Sequence, residues 1–131
     1  MNTRTSKLAV IALIYQDEIF SSNILGVSRK DNPNLMGLPG GKVDEGELIY
    51  DAMVREVYEE TGLTVKNALP FFFREHGEYY VSVYLILDYE GEISTKELGV
   101  VKWVDFDIIN KGPFGETGLE SHVKFIKNRM K

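Results

Sequence analysis

The chain has 131 residues, 15 of them basic and 20 acidic, a net charge of −5 and no cysteine. One domain spanning 1–131 is expected at this length, with enough buried surface to fold without covalent staples. The absence of cysteine excludes disulfides, thiolate metal sites and thiol nucleophiles, and the net acidity argues against stable binding of duplex nucleic acid through charge.

In chain order, Arg4 and Lys7 precede an apolar run, residues 8–15. The run is too short to span a bilayer, and Gln16-Asp17-Glu18 follows it where a leader would carry small residues for cleavage. It reads as a buried strand, and a cytoplasmic protein with no membrane partner is expected. Residues 24–28 form the next expected strand. Asp31-Asn32-Pro33-Asn34 and Pro39-Gly40-Gly41 are loop signals. Residues 48–61 are expected to be a helix, with Ile49, Ala52, Met53 and Val57 as its buried stripe and Gly62 as its C-terminal stop. Residues 71–74 and 79–87 read as a hairpin turning at His76-Gly77-Glu78, and 100–104 as a further strand. Leu119, Val123, Ile126 and Met130 place a packing helix over 119–131, with cations at its end where the helix dipole favours them. Trp103 and the aromatics of 79–84 are assigned to packing, and His76 and His122 to no chemistry. Strands, one internal helix, more strands and a final helix make an α+β chain, or a mixed sheet between helices.

The charge is not spread along this pattern. Residues 41–63 hold two bases, Lys42 and Arg55, and seven acids, Asp44, Glu45, Glu47, Asp51, Glu56, Glu59 and Glu60, so this segment alone carries the net −5. On the helix, Glu56, Glu59 and Glu60 stand at i, i+3 and i+4 and share a face. Like charges at that spacing repel by a few tenths of a kcal/mol per pair, roughly. Three hard oxygen donors on one face suit Mg²⁺ or Mn²⁺, although a glutamate-rich face is also what plain solvation produces.

The spacing around these residues decides between the two. Gly41, five residues, Glu47, seven residues, Arg55-Glu56-Val57, one residue, Glu59-Glu60, one residue, Gly62-Leu63 resembles the Nudix box at every specified position. Average residue usage gives such a match a chance probability on the order of 10⁻⁷ in a chain of this length. Leu38-Pro39-Gly40-Gly41-Lys42 is similar to the usual lead-in, except that Met36 stands where family members often have an aromatic residue.

The resemblance implies an α/β fold, a sandwich with a mixed β-sheet between helices, and hydrolysis of a pyrophosphate bond in a nucleoside diphosphate linked to a group X. It implies a Mg²⁺ cofactor, for which Mn²⁺ substitutes, held by Glu56, Glu59, Glu60 and the carbonyl of Gly40. Glu47 and Arg55, about two helical turns apart, match the pair that orients the metal-binding glutamates. Glu97 resembles a loop glutamate used as a general base or extra ligand, and the choice of base between Glu56 and Glu97 stays open. Arg29, Gly41 and Lys42 match positions that contact substrate, where a guanidinium suits phosphate. The compact length favours nucleoside triphosphates, oxidised ones included. ADP-ribose, dinucleoside polyphosphates, RNA 5′ ends and a non-catalytic nucleotide sensor are the alternatives. A monomer or a homodimer is expected.

Overall fold

The computed structural model describes residues 7–29, 32–94, 99–110, 123–124 and 127–128. Seven strands and two helices follow in the order β1 (Lys7–Leu13), β2 (Asn23–Arg29), β3 (Asn32–Gly37), β4 (Gly40–Lys42), α1 (Ile49–Thr61), β5 (Thr64–His76), β6 (Tyr79–Glu90), β7 (Val101–Asp105) and α2 (Phe106–Asn110). Val123, Lys124, Lys127 and Asn128 are helical, and the rest of the helix expected over 119–131 lies outside the described residues.

The strands divide into two sheets where a single mixed sheet was expected. One has the order β4-β1-β6-β5, the other β3-β2-β7. The first is mixed: β1 runs parallel to β6, while β4 and β5 are antiparallel to their neighbours. A bridge between Tyr15 and Ile24, with the Leu25 N–H donating to the Ile14 carbonyl at 2.9 Å, ties the two together just past the end of β1.

Burial explains the layers. β1 is apolar from Leu8 to Leu13, after the exposed Lys7, so that stretch must be covered on both faces. On one face Val10, Ala12 and Ile14 pack with Ala52, Met53 and Val57 of α1 and with Tyr84 and Ile86 of β6. On the other, Leu13 and Tyr15 pack with Ile24, Met36, Leu38, Leu85 and Ile109, under Phe106 and Val123. Met36 is buried here and fills the place of the expected aromatic; its terminal methyl would lie 2.9 Å from a Cβ placed on Gly26.

Three segments that read as loops or went unread are strands. Asn32, Pro33 and Asn34 lie in β3; Asp31 lies outside the described residues. β3 is an edge strand, and there a proline's missing N–H breaks no ladder. β5 starts at Thr64 and takes in Pro70 for the same reason, with register shifts at 65/67, 67/68 and 70/72 that absorb its irregular sequence. Gly40 and Gly41 form β4 against Ile11 and Val10 of β1. A Cβ on Gly40 would run into the Val10 carbonyl, so only glycine lets the two backbones come this close. α1 ends as expected: Gly62 adopts φ 82°, and its N–H donates to the Tyr58 carbonyl at 2.9 Å.

Candidate active site

α1 and the turn before it deliver the box side chains to one place. Arg55, in the second turn of α1, uses its guanidinium as a fork. Its Nε and Nη2 donate to the two oxygens of Glu47 at 2.8 and 3.0 Å. Its Nη1 donates to both Glu56 Oε1, at 2.8 Å, and Glu59 Oε1, at 3.1 Å. Nη2 also donates to the Lys42 carbonyl at 3.1 Å, and Asp44 Oδ2 lies 3.5 Å away. One cation thus gathers four carboxylates and anchors the backbone of β4.

Glu47 does not sit two helical turns along the same helix from Arg55. It precedes Leu48, the N-cap, and reaches Arg55 from the loop, where its Oε1 also accepts the Asp44 N–H at 3.0 Å. That loop geometry leaves it only 18% exposed. Arg55, and then the Asp44 N–H, hold its carboxyl at a pKa of about 2, well below the usual carboxylate range. Arg55 is pushed above its ordinary value, chiefly by Glu47.

Glu60 accepts the Gly40 N–H at 2.6 Å. The Glu56 carboxylate lies directly against Gly41, where a Cβ would be 2.5 Å from Oε2. The glutamates expected as ligands are therefore brought to one edge of the sheet, beside Gly40 and Gly41, with Glu56 and Glu59 leaning on Arg55. In this arrangement no three acidic or histidine side chains among the described residues are grouped to cage an ion. Lys42 lies in β4, its carbonyl on Arg55 and its ammonium 5.8 Å from the centre of the Tyr79 ring. Arg29 ends β2, its side chain outside what is described, and Glu97 is likewise outside. Asp44 and Tyr79 are neighbours of the site that sequence reasoning did not single out. Asp44 belongs to the acidic run, but nothing marked it apart, and Tyr79 reaches the site only through the parallel pairing of β1 with β6.

The NUDIX domain family model matches residues 5–125. The chain belongs to the Nudix family. Among curated Nudix relatives, an ADP-ribose pyrophosphatase of Methanocaldococcus jannaschii is 38% identical over 91 residues, covering 64% of this chain and 52% of that protein. An 8-oxo-dGTP diphosphatase of Haemophilus influenzae is 32% identical over 90 residues, 65% of each chain. The chain thus matches about half to two-thirds of the length of these relatives. A solved structure described as MutT from Aliivibrio salmonicida and Vibrio cholerae superposes with a TM-score of 0.74 at 25% identity, over 90% of this chain and 97% of that one. Nudix proteins generally use divalent metal cations. The donor chemistry here fits such an ion: carboxylate oxygens and a glycine backbone, hard ligands with no sulfur or imidazole among them.

Proposed function

We propose that this chain, as a single Nudix domain, is a Mg²⁺-dependent pyrophosphohydrolase. It cleaves a nucleoside diphosphate linked to X, with nucleoside triphosphates, oxidised ones among them, as the favoured substrates and a monophosphate and pyrophosphate as products. The observation that carries this reading is the unequal way Arg55 shares its fork. Glu47 takes two nitrogens, while Glu56 and Glu59 share a third. A lock of that kind fixes the loop to the helix by a contact separate from the one that steadies Glu56 and Glu59, and holds those two carboxylates side by side where a second cation would meet them.

Glu56, Glu59, Glu60 and the Gly40 carbonyl would hold the Mg²⁺, for which Mn²⁺ substitutes. When bound, the ion supplies charge neutralisation for the diphosphate and a more acidic coordinated water. The chain's own residues do the rest. Glu47 and Arg55 keep the glutamates in place. Gly41 gives Glu56 room to approach. Arg29 and Lys42 meet phosphate oxygens. Either Glu56 or Glu97 accepts the proton of the attacking water.

The triphosphate preference draws support from the 8-oxo-dGTP diphosphatase and MutT relatives. The second reading, ADP-ribose, draws on the 38% identical pyrophosphatase. The deciding experiment is a panel of nucleoside triphosphates, ADP-ribose, dinucleoside polyphosphates and 5′-triphosphate RNA with Mg²⁺ and product identification. Turnover of a diphosphate-linked substrate with no triphosphate hydrolysed sinks the substrate claim. Glu60→Gln lowers kcat by orders of magnitude if the chain is an enzyme; a wild type that binds nucleotide and never turns it over makes it a sensor. A cytoplasmic monomer or homodimer acting on small nucleotides completes the proposal. No described helix is long and apolar enough to cross a membrane.

A further inference from the structure

Behind the carboxylate cluster, three neighbouring strands bring two cations to one aromatic ring. β4 pairs Lys42 with Ala9, and β1 pairs Lys7 with Tyr79 of β6. Side chains alternate along a strand, so Lys7 and Ala9 of β1 and the residues opposite them, Tyr79 and Lys42, share a face. Gly41, next in β4, faces Glu56 on the other side. The ammonium groups of Lys7 and Lys42 each lie 5.8 Å from the Tyr79 ring centre. They are therefore no more than about 12 Å apart. Lys7 also pairs with exposed Glu78 at 2.8 Å. Lys42 is fixed through its carbonyl to Arg55, so its ammonium has a defined origin at the edge of the glutamate cluster.

Two flexible ammoniums gathered at one half-buried ring, one of them also paired with an exposed glutamate, are a poor structural device, because a partly exposed cation–aromatic contact and a surface ion pair are both weak. They are a good anion trap. The ring gathers both stems at the β4 edge, on the sheet face opposite Gly41 and Glu56, so a polyphosphate held at the glutamates meets them only by passing over that edge strand, and a phosphate outcompetes the ring for the charges. We propose that Lys7, Lys42 and Tyr79 form a cationic subsite for the outermost phosphate of a polyphosphate substrate, with Tyr79 as the positioning residue for both lysines. This rests on the pyrophosphohydrolase reading and sharpens it. A subsite for a further phosphate selects nucleoside triphosphates over diphosphates whose distal group is an uncharged sugar.

The test compares Tyr79→Ala, Tyr79→Phe and Lys7→Met with the wild type. Steady-state kinetics with Mg²⁺ are run on a deoxynucleoside triphosphate and on ADP-ribose, and inorganic tripolyphosphate is titrated calorimetrically. Tyr79→Ala and Lys7→Met raise KM for the triphosphate about three- to tenfold, the factor that one or two such contacts supply, with kcat within about twofold. They weaken tripolyphosphate by a similar factor and leave KM for ADP-ribose unchanged. Tyr79→Phe keeps the ring and behaves as wild type. An equal KM change for both substrates, or tripolyphosphate affinity that no variant alters, overturns the subsite. A wild type that hydrolyses neither nucleotide overturns the enzymatic reading instead, and the tripolyphosphate titration still decides the subsite. Should Tyr79→Ala fail to fold, Lys7→Met, at an exposed position, carries the same comparison.

Discussion

Gly41→Ala separates the chemistry from the fold, and its neighbour supplies the control. A Cβ on Gly41 would lie 2.5 Å from the Glu56 carboxyl carbon and Oε2 and 2.7 Å from Oε1. Ordinary contact begins near 3.4 Å, so the carboxylate must retreat by about 1 Å. What gives way is the end of a flexible side chain, not backbone. The stability cost is therefore a weakened Glu56–Arg55 contact, about 1 kcal/mol at this partly exposed site. Alanine's lower unfolded-state entropy offsets part of that. The melting temperature moves by only a few degrees, about 3 °C per kcal/mol for a domain of this size. A 1 Å displacement of a catalytic group costs about 10²-fold in rate. Gly40→Ala has the opposite profile. Its Cβ meets the Val10 carbonyl and lies 2.8 Å from the Ile11 Cα, both backbone of the central strand, which cannot step aside. Overpacking of that kind costs about 3 kcal/mol and melts β4 off β1. Pyrophosphate release gives kcat/KM for both variants and calorimetry gives the melting temperatures. Gly41→Ala retaining kcat/KM within about threefold of wild type refutes the placement of Glu56 in the chemistry. Gly41→Ala losing as much stability as Gly40→Ala refutes the claim that only a side chain has to move.

Thr61 is fully buried, donates to the Val57 carbonyl at 2.6 Å and accepts the Leu63 N–H at 3.1 Å. Thr61→Val keeps the shape and orphans that N–H, costing about 1–3 kcal/mol in urea denaturation with kcat unchanged. Burial raises the Tyr15 pKa well above 10, and those of Tyr84 and Tyr89 to a lesser degree. A group with a raised folded pKa gives its full stabilisation below the unfolded value, so the urea midpoint is flat to about pH 9.5 and falls above pH 10, and Tyr15→Phe makes that fall shallower. On the acid side Glu47, held at about 2, stabilises above its unfolded pKa of about 4.5 and loses that contribution as pH falls from 4.5 towards 2. Glu47→Gln removes this part of the acid transition; an unchanged acid limb contradicts the Arg55 pairing. Mg²⁺ or Mn²⁺ at a hundredfold excess over Kd stabilises by about 2.7 kcal/mol. A melting temperature that ignores 10 mM of either ion counts against the site.

What could be read from the sequence was whatever depends on local spacing. The stripe of α1, its stop at Gly62 and the convergence of Glu56 and Glu59 all follow from helical periodicity within one segment. The strands that escaped are those whose pairing overrides their own composition. Asn32 to Asn34 and Pro70 look like loop until an edge position makes a missing N–H harmless. Gly40-Gly41 reads as a turn because glycine signals freedom. Here it marks the opposite, a backbone pressed between β1 and a glutamate. Tyr79 reads as a strand aromatic assigned to packing, but its place beside Lys7 and Lys42 could not be read, since a parallel pairing across some seventy residues leaves no local trace.

The concentration of the net charge in residues 41–63 also takes on a different meaning. Glu56, Glu59 and Glu60 repel one another at their helical spacing, and a chain shaped for stability alone would place lysine among them. The fold answers with one arginine, in an uneven way. Arg55 commits two nitrogens to Glu47, which lies outside the helix and is not among the expected ligands. It gives one nitrogen to Glu56 and Glu59 together, while Glu60 accepts the Gly40 N–H. The strong bidentate contact therefore joins loop to helix, and it survives if Glu56 and Glu59 are withdrawn. A divalent ion arriving at the glutamates competes with the shared Nη1 contacts and with the Gly40 N–H, and leaves in place the bidentate lock that shapes the site. An arginine paired evenly to all its neighbours would neutralise the cluster better and resist the metal; this division of the fork gives up some charge balance to keep two ligands available.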